Sequence, residues 1–356
     1  MGLALCLRIA LVGASVSLTA LTLEALVVVA GIGAVPAATA SLIDGRFKLG
    51  LDCYPSNPRS YFDVDLRDAG TRERYRNARV RHIDRAWTVA PHAVELHYNS
   101  IQYRDVDVPP RRAGVRRVIV LGDSFTEGQG VKEADTYPRV LERLLNEAEP
   151  GRWEVRNWGR RGADFPALSA LFDEALGYRP DVLVYGMVLN DAERPEHFDA
   201  RHDFLNNRIV PRRRPREFRS RLLDFVAGRV ENWRLDREGK RWYHELYGEP
   251  NRDGWARTQR RIVDMSRRMR ERGGEFVLAA WPLLAGLEDD YPFASVHGTI
   301  RRFCLESGVA HHDLMPALKG RPSESLWVHD LDHHPNDEAH RRAAESLAAA
   351  VLALVS

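Results

Sequence analysis

Apolar residues follow three regimes along this chain. Over residues 1–43 they run almost without interruption, Arg8 and Glu24 being the only charges. A run of that length spans a bilayer, whereas the apolar region of a cleaved signal peptide is shorter, roughly 7 to 15 residues. The expected reading is an uncleaved anchor, with the Ala38-Thr39-Ala40 stretch as the cleavage site of the signal-peptide alternative. A carboxylate such as Glu24 in mid-membrane costs about 2.5 to 3.5 kcal/mol on insertion scales, which the surrounding leucines and valines offset. Arg8 precedes the span and Asp44, Arg46 and Lys48 follow it, so the distribution of basic residues leaves the orientation open.

Residues 44–114 hold few long apolar runs. The stretch "AVELHYNSIQYRDVDV" alternates with a period of two, which predicts strand, and the segment reads as a small strand-containing neck. Pro109-Pro110-Arg111-Arg112-Ala113-Gly114 then breaks regular structure, so a larger domain is expected over 115–356. Within it strands and helices alternate. "RVIVL" (117–121) is a β-branched run, and Tyr137, Val140, Leu141, Leu144 and Leu145 keep helical spacing, with Pro138 suited to a first turn. "EVRNW", "DVLVYGM", "EFVLAAW" and "VAHHDLM" read as further strands, and a final helix is expected from about Asn336. Such alternation predicts a parallel sheet covered on both faces, with sites at the carboxyl ends of its strands.

Residues 195–250 interrupt the alternation. The stretch "RIVPRRRPREFRSR" carries seven arginines, readable either as a solvated face or as part of a lid over an anionic ligand. Trp233, Trp242 and Tyr243 lie nearby in sequence as apolar contact residues for such a lid.

Composition narrows the field less than pattern does. A net charge of +2 and the lack of nucleic-acid motifs argue against nucleic-acid partners. Three cysteines exclude a disulfide scaffold, and no Cys/His spacing matches a structural zinc site, so no metal is expected. Cys53 and Cys304 either pair or stay as two buried thiols.

The candidate chemistry sits at strand ends. Ser124 follows "VIVLGD" directly, which puts its hydroxyl at the carboxyl edge of the sheet, and a serine needs a base to become a nucleophile. "HDLDHHPNDEAH" (329–340) offers one just before the last helix. Asp332 with His334 is the preferred acid–base pair, because Asn336 just after it can cap the helix; Asp330 with His333 is the other. "NWGRRG" puts Gly162 at a turn after the second strand and "GMVLND" puts Asn190 after the third. With the Ser124 N–H they make three donors for an oxyanion. Asp123 reads as an acceptor for loop N–H groups, His311 and His312 as structural, and His340 as a solvated helix residue.

These four blocks, "GDSFTEG", "NWGRRG", "GMVLND" and "DHHPN", resemble in order those of the SGNH (GDSL) hydrolases, and the resemblance covers about residues 115–355. It implies a flavodoxin-like three-layer α/β/α sandwich with sheet order 2-1-3-4-5. It also implies ester hydrolysis with no metal or organic cofactor, through Ser124, His334 and Asp332 with Gly162 and Asn190 in the oxyanion hole. The expected protein is a membrane-anchored serine esterase with an extracytoplasmic catalytic domain. Its expected substrate is an O-acyl ester on a small molecule, glycan or lipid of the cell envelope, for instance an O-acetylated glycan. An O-acyltransferase using the same acyl-enzyme is the alternative in chemistry. A catalytically silent envelope protein that binds or assembles is the alternative in class.

Overall fold

The run Arg116–Gly122 forms a strand, β3, whose residues beyond the first are all buried. The reason is its position, since it is an interior strand of a sheet with helices on both faces. The computed structural model describes residues 2–30, 61–65, 92–199, 220–288, 290–329 and 332–355. Strands β3, β4 (Trp153–Gly159), β5 (Val182–Met187), β6 (Glu275–Ala280) and β7 (Ala310–Asp313) pair in parallel in the order β4-β3-β5-β6-β7. Counted within the sheet this is 2-1-3-4-5. Helices Tyr137–Ala148 and Asp337–Leu354 pack together in one layer, while Phe165–Leu176 and Arg252–Arg270 pack together in another. Pro138 lies in the first turn of its helix, where a missing N–H costs nothing.

The chain divides into two units, Met1–Ala37 with Asp199–Trp242, and Ala38–Phe198 with Tyr243–Ser356. In the first, the helix Gly2–Val29 contains a segment, Leu5–Val29, long and apolar enough to cross a membrane. Its Glu24 accepts hydrogen bonds from Ser220 Oγ (2.7 Å) and Leu222 N–H (2.9 Å). Ser220 Oγ also accepts from Leu223 N–H (3.1 Å), so the carboxylate meets the capped N-terminus of the helix Arg221–Leu246. The free N–H groups and the positive end of that helix are where an anion is stabilised. The arginine-rich stretch lies outside the described residues from 208 to 219, and so does Cys53. Cys304 is a buried thiol with no disulfide among the described residues. Burial pushes it up to about 12, which leaves it unreactive at neutral pH.

In the second unit the neck departs from its sequence pattern. Of residues 93–108 only 93–96 are strand, the end of His92–Leu96 (β2), which pairs in parallel with Tyr61–Asp65 (β1). The alternation after Leu96 fails because Asn99 closes a turn: its side-chain oxygen accepts from Ile101 N–H (3.2 Å) and Tyr103 N–H (2.9 Å), and Gln102 takes a positive φ of 69°. Tyr103, Arg104 and Asp105 are then buried in succession, which no strand with one exposed face allows. Tyr103 stacks on Trp158 of β4, 4.3 Å between ring centroids.

Candidate active site

Three glycines lie side by side at the carboxyl edge of the sheet, Gly122 of β3 being in register with Gly159 of β4 and Gly186 of β5. Each is required by what sits on it. A Cβ on Gly122 would lie 2.0 Å from Thr126 Oγ1, and one on Gly159 would lie 2.1 Å from the backbone nitrogen of Glu127. A Cβ on Gly186 would meet Tyr137 Oη at 2.3 Å. The triplet makes a seat for the one-turn helix Ser124–Glu127. Asp123 caps that helix by accepting from Phe125 N–H (2.8 Å), and Gly128 ends it in the left-handed region at φ 83°. Ser124 is thereby held in the first turn, its hydroxyl at the edge.

On the far side of the edge, the antiparallel pair Trp327–His329 (β8) and Asp332–Pro335 (β9) brings in the histidine. Ser124 Oγ lies 2.8 Å from His334 Nε2. His334 Nδ1 meets Asp332 Oδ1, which also accepts from the His334 backbone N–H (3.1 Å). With Nδ1 donating to the carboxylate, Nε2 carries the lone pair toward the serine hydroxyl. Gln129 Nε2 donates to the other Asp332 oxygen (2.9 Å), and Phe125 packs edge-on against the imidazole at 5.5 Å. Burial alone would raise the Asp332 carboxyl, but the bonds from His334 and Gln129 outweigh it and hold the group well below the usual carboxylate range. The loop is pinned by Asn336, whose Oδ1 caps the last helix through Ala339 N–H (3.1 Å) while its amide donates to Ser325 O (2.9 Å) and Trp327 O (3.2 Å).

His333 points elsewhere. Its ring stacks on Trp327, centroids 3.8 Å apart and planes at 15°. Asp330, its companion in the other reading, lies outside the described residues. His340 is not the solvated residue its helix position suggested: it is fully buried and its Nδ1 accepts from Tyr137 N–H (3.0 Å). It shares the buried face of its helix with Ala343, Leu347 and Val351, and burial lowers it to about 3, so it stays neutral.

Gly162 and Asn190 are exposed on the loops that leave β4 and β5 at this same edge. Gly162 takes φ 74° in a turn closed by Ala163 N–H to Arg160 O (3.1 Å). Asn190 stands in a turn held by Asp191, whose carboxylate accepts from Val188 N–H (3.0 Å) and Tyr185 Oη (2.9 Å). Sequence reasoning missed Gln129 and Phe125, since neither belongs to a periodic pattern and both act on a loop some 200 residues away.

Two carboxyls beneath the site are driven the other way. Burial pushes Asp123 up to about 6, against the opposing effects of the Phe125 N–H and His334, and burial together with Asp123 raises Asp191 well above its usual value. A carboxyl whose folded value exceeds its unfolded value near 3.8 favours the fold when protonated. That contribution is fully present below about 4 and is lost as pH rises through about 6. Asp123→Asn, which keeps an acceptor for Phe125 N–H, should therefore raise the thermal midpoint over wild type at pH 8, and the gain should shrink toward zero at pH 4. Melting curves across that range check it; a gain independent of pH would show that Asp123 ionisation is not its source.

The profile of the GDSL-like Lipase/Acylhydrolase family matches residues 120–342. Similar solved structures include the lipase/acylhydrolase from Enterococcus faecalis, 13% identical with a TM-score of 0.40, over 67% of this chain and 97% of that one. The lipase Lip_vut3 from a goat rumen metagenome is 16% identical with a TM-score of 0.43, over 66% of this chain and 97% of that one. The psychrotrophic esterase EstA from Pseudoalteromonas sp. is 11% identical with a TM-score of 0.40, over 67% and 98%. No curated protein matches the sequence.

Proposed function

The chain belongs to the GDSL-like lipase/acylhydrolase family and is a serine ester hydrolase, and from that premise we propose that Ser124, His334 and Asp332 are its catalytic triad. The single observation that carries the assignment is the hydrogen-bonded line from Ser124 Oγ through His334 to Asp332. In this reading Ser124 Oγ attacks the ester carbonyl carbon as its proton passes to His334 Nε2, and Asp332 steadies the imidazolium. The negative oxygen of the tetrahedral intermediate takes hydrogen bonds from the Ser124 and Gly162 N–H groups and the Asn190 amide, each donor contributing about 3 kcal/mol at the transition state. The C–O bond to the alcohol breaks, and the alcohol leaves with the proton from Nε2. Water then gives a proton to Nε2 and its oxygen to the acyl carbon, releasing the acid and restoring Ser124.

The substrate reading is an O-acyl ester, such as an O-acetyl group, on a glycan or lipid of the cell envelope, with the apolar N-terminal helix as a membrane anchor and the catalytic unit outside the cytoplasm. The length and apolar character of Leu5–Val29 support the anchor, and the envelope substrate is the reading that such an anchor suggests by analogy. A fluorophosphonate probe tests the chemistry: it should label the protein at Ser124 by peptide mapping, and label elsewhere or none would sink the triad. Product analysis with an acetylated glycan and a free glycan acceptor separates transfer to water from transfer to a sugar hydroxyl. The anchor has its own expected result. Full-length protein should fractionate with membranes and resist high salt, while deletion of residues 1–43 should give soluble, folded protein. Full-length protein recovered soluble, with its N-terminus near Ser41, would establish a cleaved signal instead.

A further inference from the structure

Glu127 is a carboxylate with only 3% of its surface exposed, three residues after Ser124, and ester hydrolysis by the triad gives it no task. Its Oε2 accepts the backbone N–H of Arg161 (2.6 Å), its Oε1 accepts the hydroxyl of Tyr98 (2.7 Å), and the Arg161 guanidinium lies 3.5 Å from Oε1. The backbone beneath it is held from two sides. Gly159 of β4 leaves room for nothing larger than hydrogen under the Glu127 nitrogen, and the fully buried Arg104 donates to the carbonyls of Glu127 (3.1 Å), Gly128 (2.5 Å) and Val131 (2.6 Å).

We propose that Glu127 is a positioning residue, which fixes the turn 160–163 so that the Gly162 N–H faces the carbonyl oxygen of an ester bound at Ser124. The inference rests on the reading of Gly162 as an oxyanion donor. That N–H belongs to the central peptide of the turn, the one whose orientation differs between turn types, and the positive φ of Gly162 is the third-position geometry of a type II turn. A central peptide free to rotate would aim its N–H at the substrate only part of the time. Tying the preceding N–H, that of Arg161, to a buried carboxylate on the nucleophile's own helix couples the two halves of the site. A donor held in place costs no reorganisation when charge develops. Chemistry also favours a carboxylate here. Two donors, a backbone N–H and a phenol hydroxyl, converge on this side chain, and a carboxylate accepts from both while its charge faces the Arg161 guanidinium. Tyr98 brings the segment after β2 into the same linkage.

Glu127→Gln in the full-length protein is the test, because the amide keeps the volume, turns one acceptor into a donor and removes the charge that faces the Arg161 guanidinium. Turnover is expected to fall by about 10- to 100-fold, with KM changed less than about threefold. Affinity for an aryl boronic acid, whose adduct with serine carries the tetrahedral geometry, should fall by a similar factor, and the pH midpoint of kcat/KM should stay in place. Turnover within twofold of wild type would overturn the proposal. So would a loss of activity matched by a loss of fluorophosphonate-titratable sites, the surviving sites keeping normal boronate affinity, since that is a folding defect alone. If Glu127→Gln does not fold, Tyr98→Phe serves instead: it should give the same paired loss of turnover and boronate affinity, by about 3- to 10-fold, and no such loss would overturn the proposal. The reading of Gly162 as a donor fails by a different sign, wild-type turnover in Gly162→Pro, which lacks that N–H, so the two failures are distinguishable.

Discussion

Ser124→Ala should abolish hydrolysis of a short-chain aryl ester, with turnover falling by at least about 10^4-fold. The substitution removes one oxygen from a half-buried position in the first turn of a short helix, and it leaves the Asp123 cap and the three-glycine seat untouched. Stability should therefore shift by less than about 1 kcal/mol, the range of one lost hydrogen bond to His334. Purified protein assayed with a p-nitrophenyl ester, with thermal unfolding measured alongside, checks both parts. Turnover at the wild-type level in a folded mutant would remove Ser124 from the reaction.

The second large effect discriminates between neighbouring histidines. His334→Ala should cost several orders of magnitude in turnover, because no other imidazole among the described residues reaches Ser124 Oγ. Asp332→Asn should cost about 10^4-fold, since an amide donates where a carboxylate accepts and so favours the wrong tautomer of His334. His333→Ala should leave turnover within about tenfold. Its cost should appear instead as a lower thermal midpoint, from loss of a ring stack on Trp327 worth roughly 0.5 to 1.5 kcal/mol. Asp330→Asn should likewise leave most of the activity. Were His333→Ala and Asp330→Asn the damaging pair, the loop would carry its acid and base one register away, and the serine would keep its role.

The N-terminal apolar run, the strand and helix alternation and the four motif blocks were legible in the linear order of residues. Local physics demands them: a parallel strand covered on both faces has to be a continuous apolar run, a helix packed on it has to repeat its apolar positions, and the turn at the edge needs glycine. The residues "GDS" at the end of β3 and "HPN" before the last helix belong to that same local grammar. What no local pattern carries is direction. Whether His333 or His334 faces the serine depends on where each ring points, and that is decided by Trp327, Gln129 and Phe125, which lie in other segments. His340 was misread for the same reason, its burial being a property of the packing between two helices. Glu127, read as one residue of a block, acquires partners only when Tyr98 and Arg161 are brought to it from 29 and 34 residues away. Sequence alone determined the elements and the edge on which their reactive ends meet. Tertiary structure decided which side chains face one another there, because Ser124 and His334 stand 210 residues apart and their alignment is set by contacts that no stretch of either segment contains.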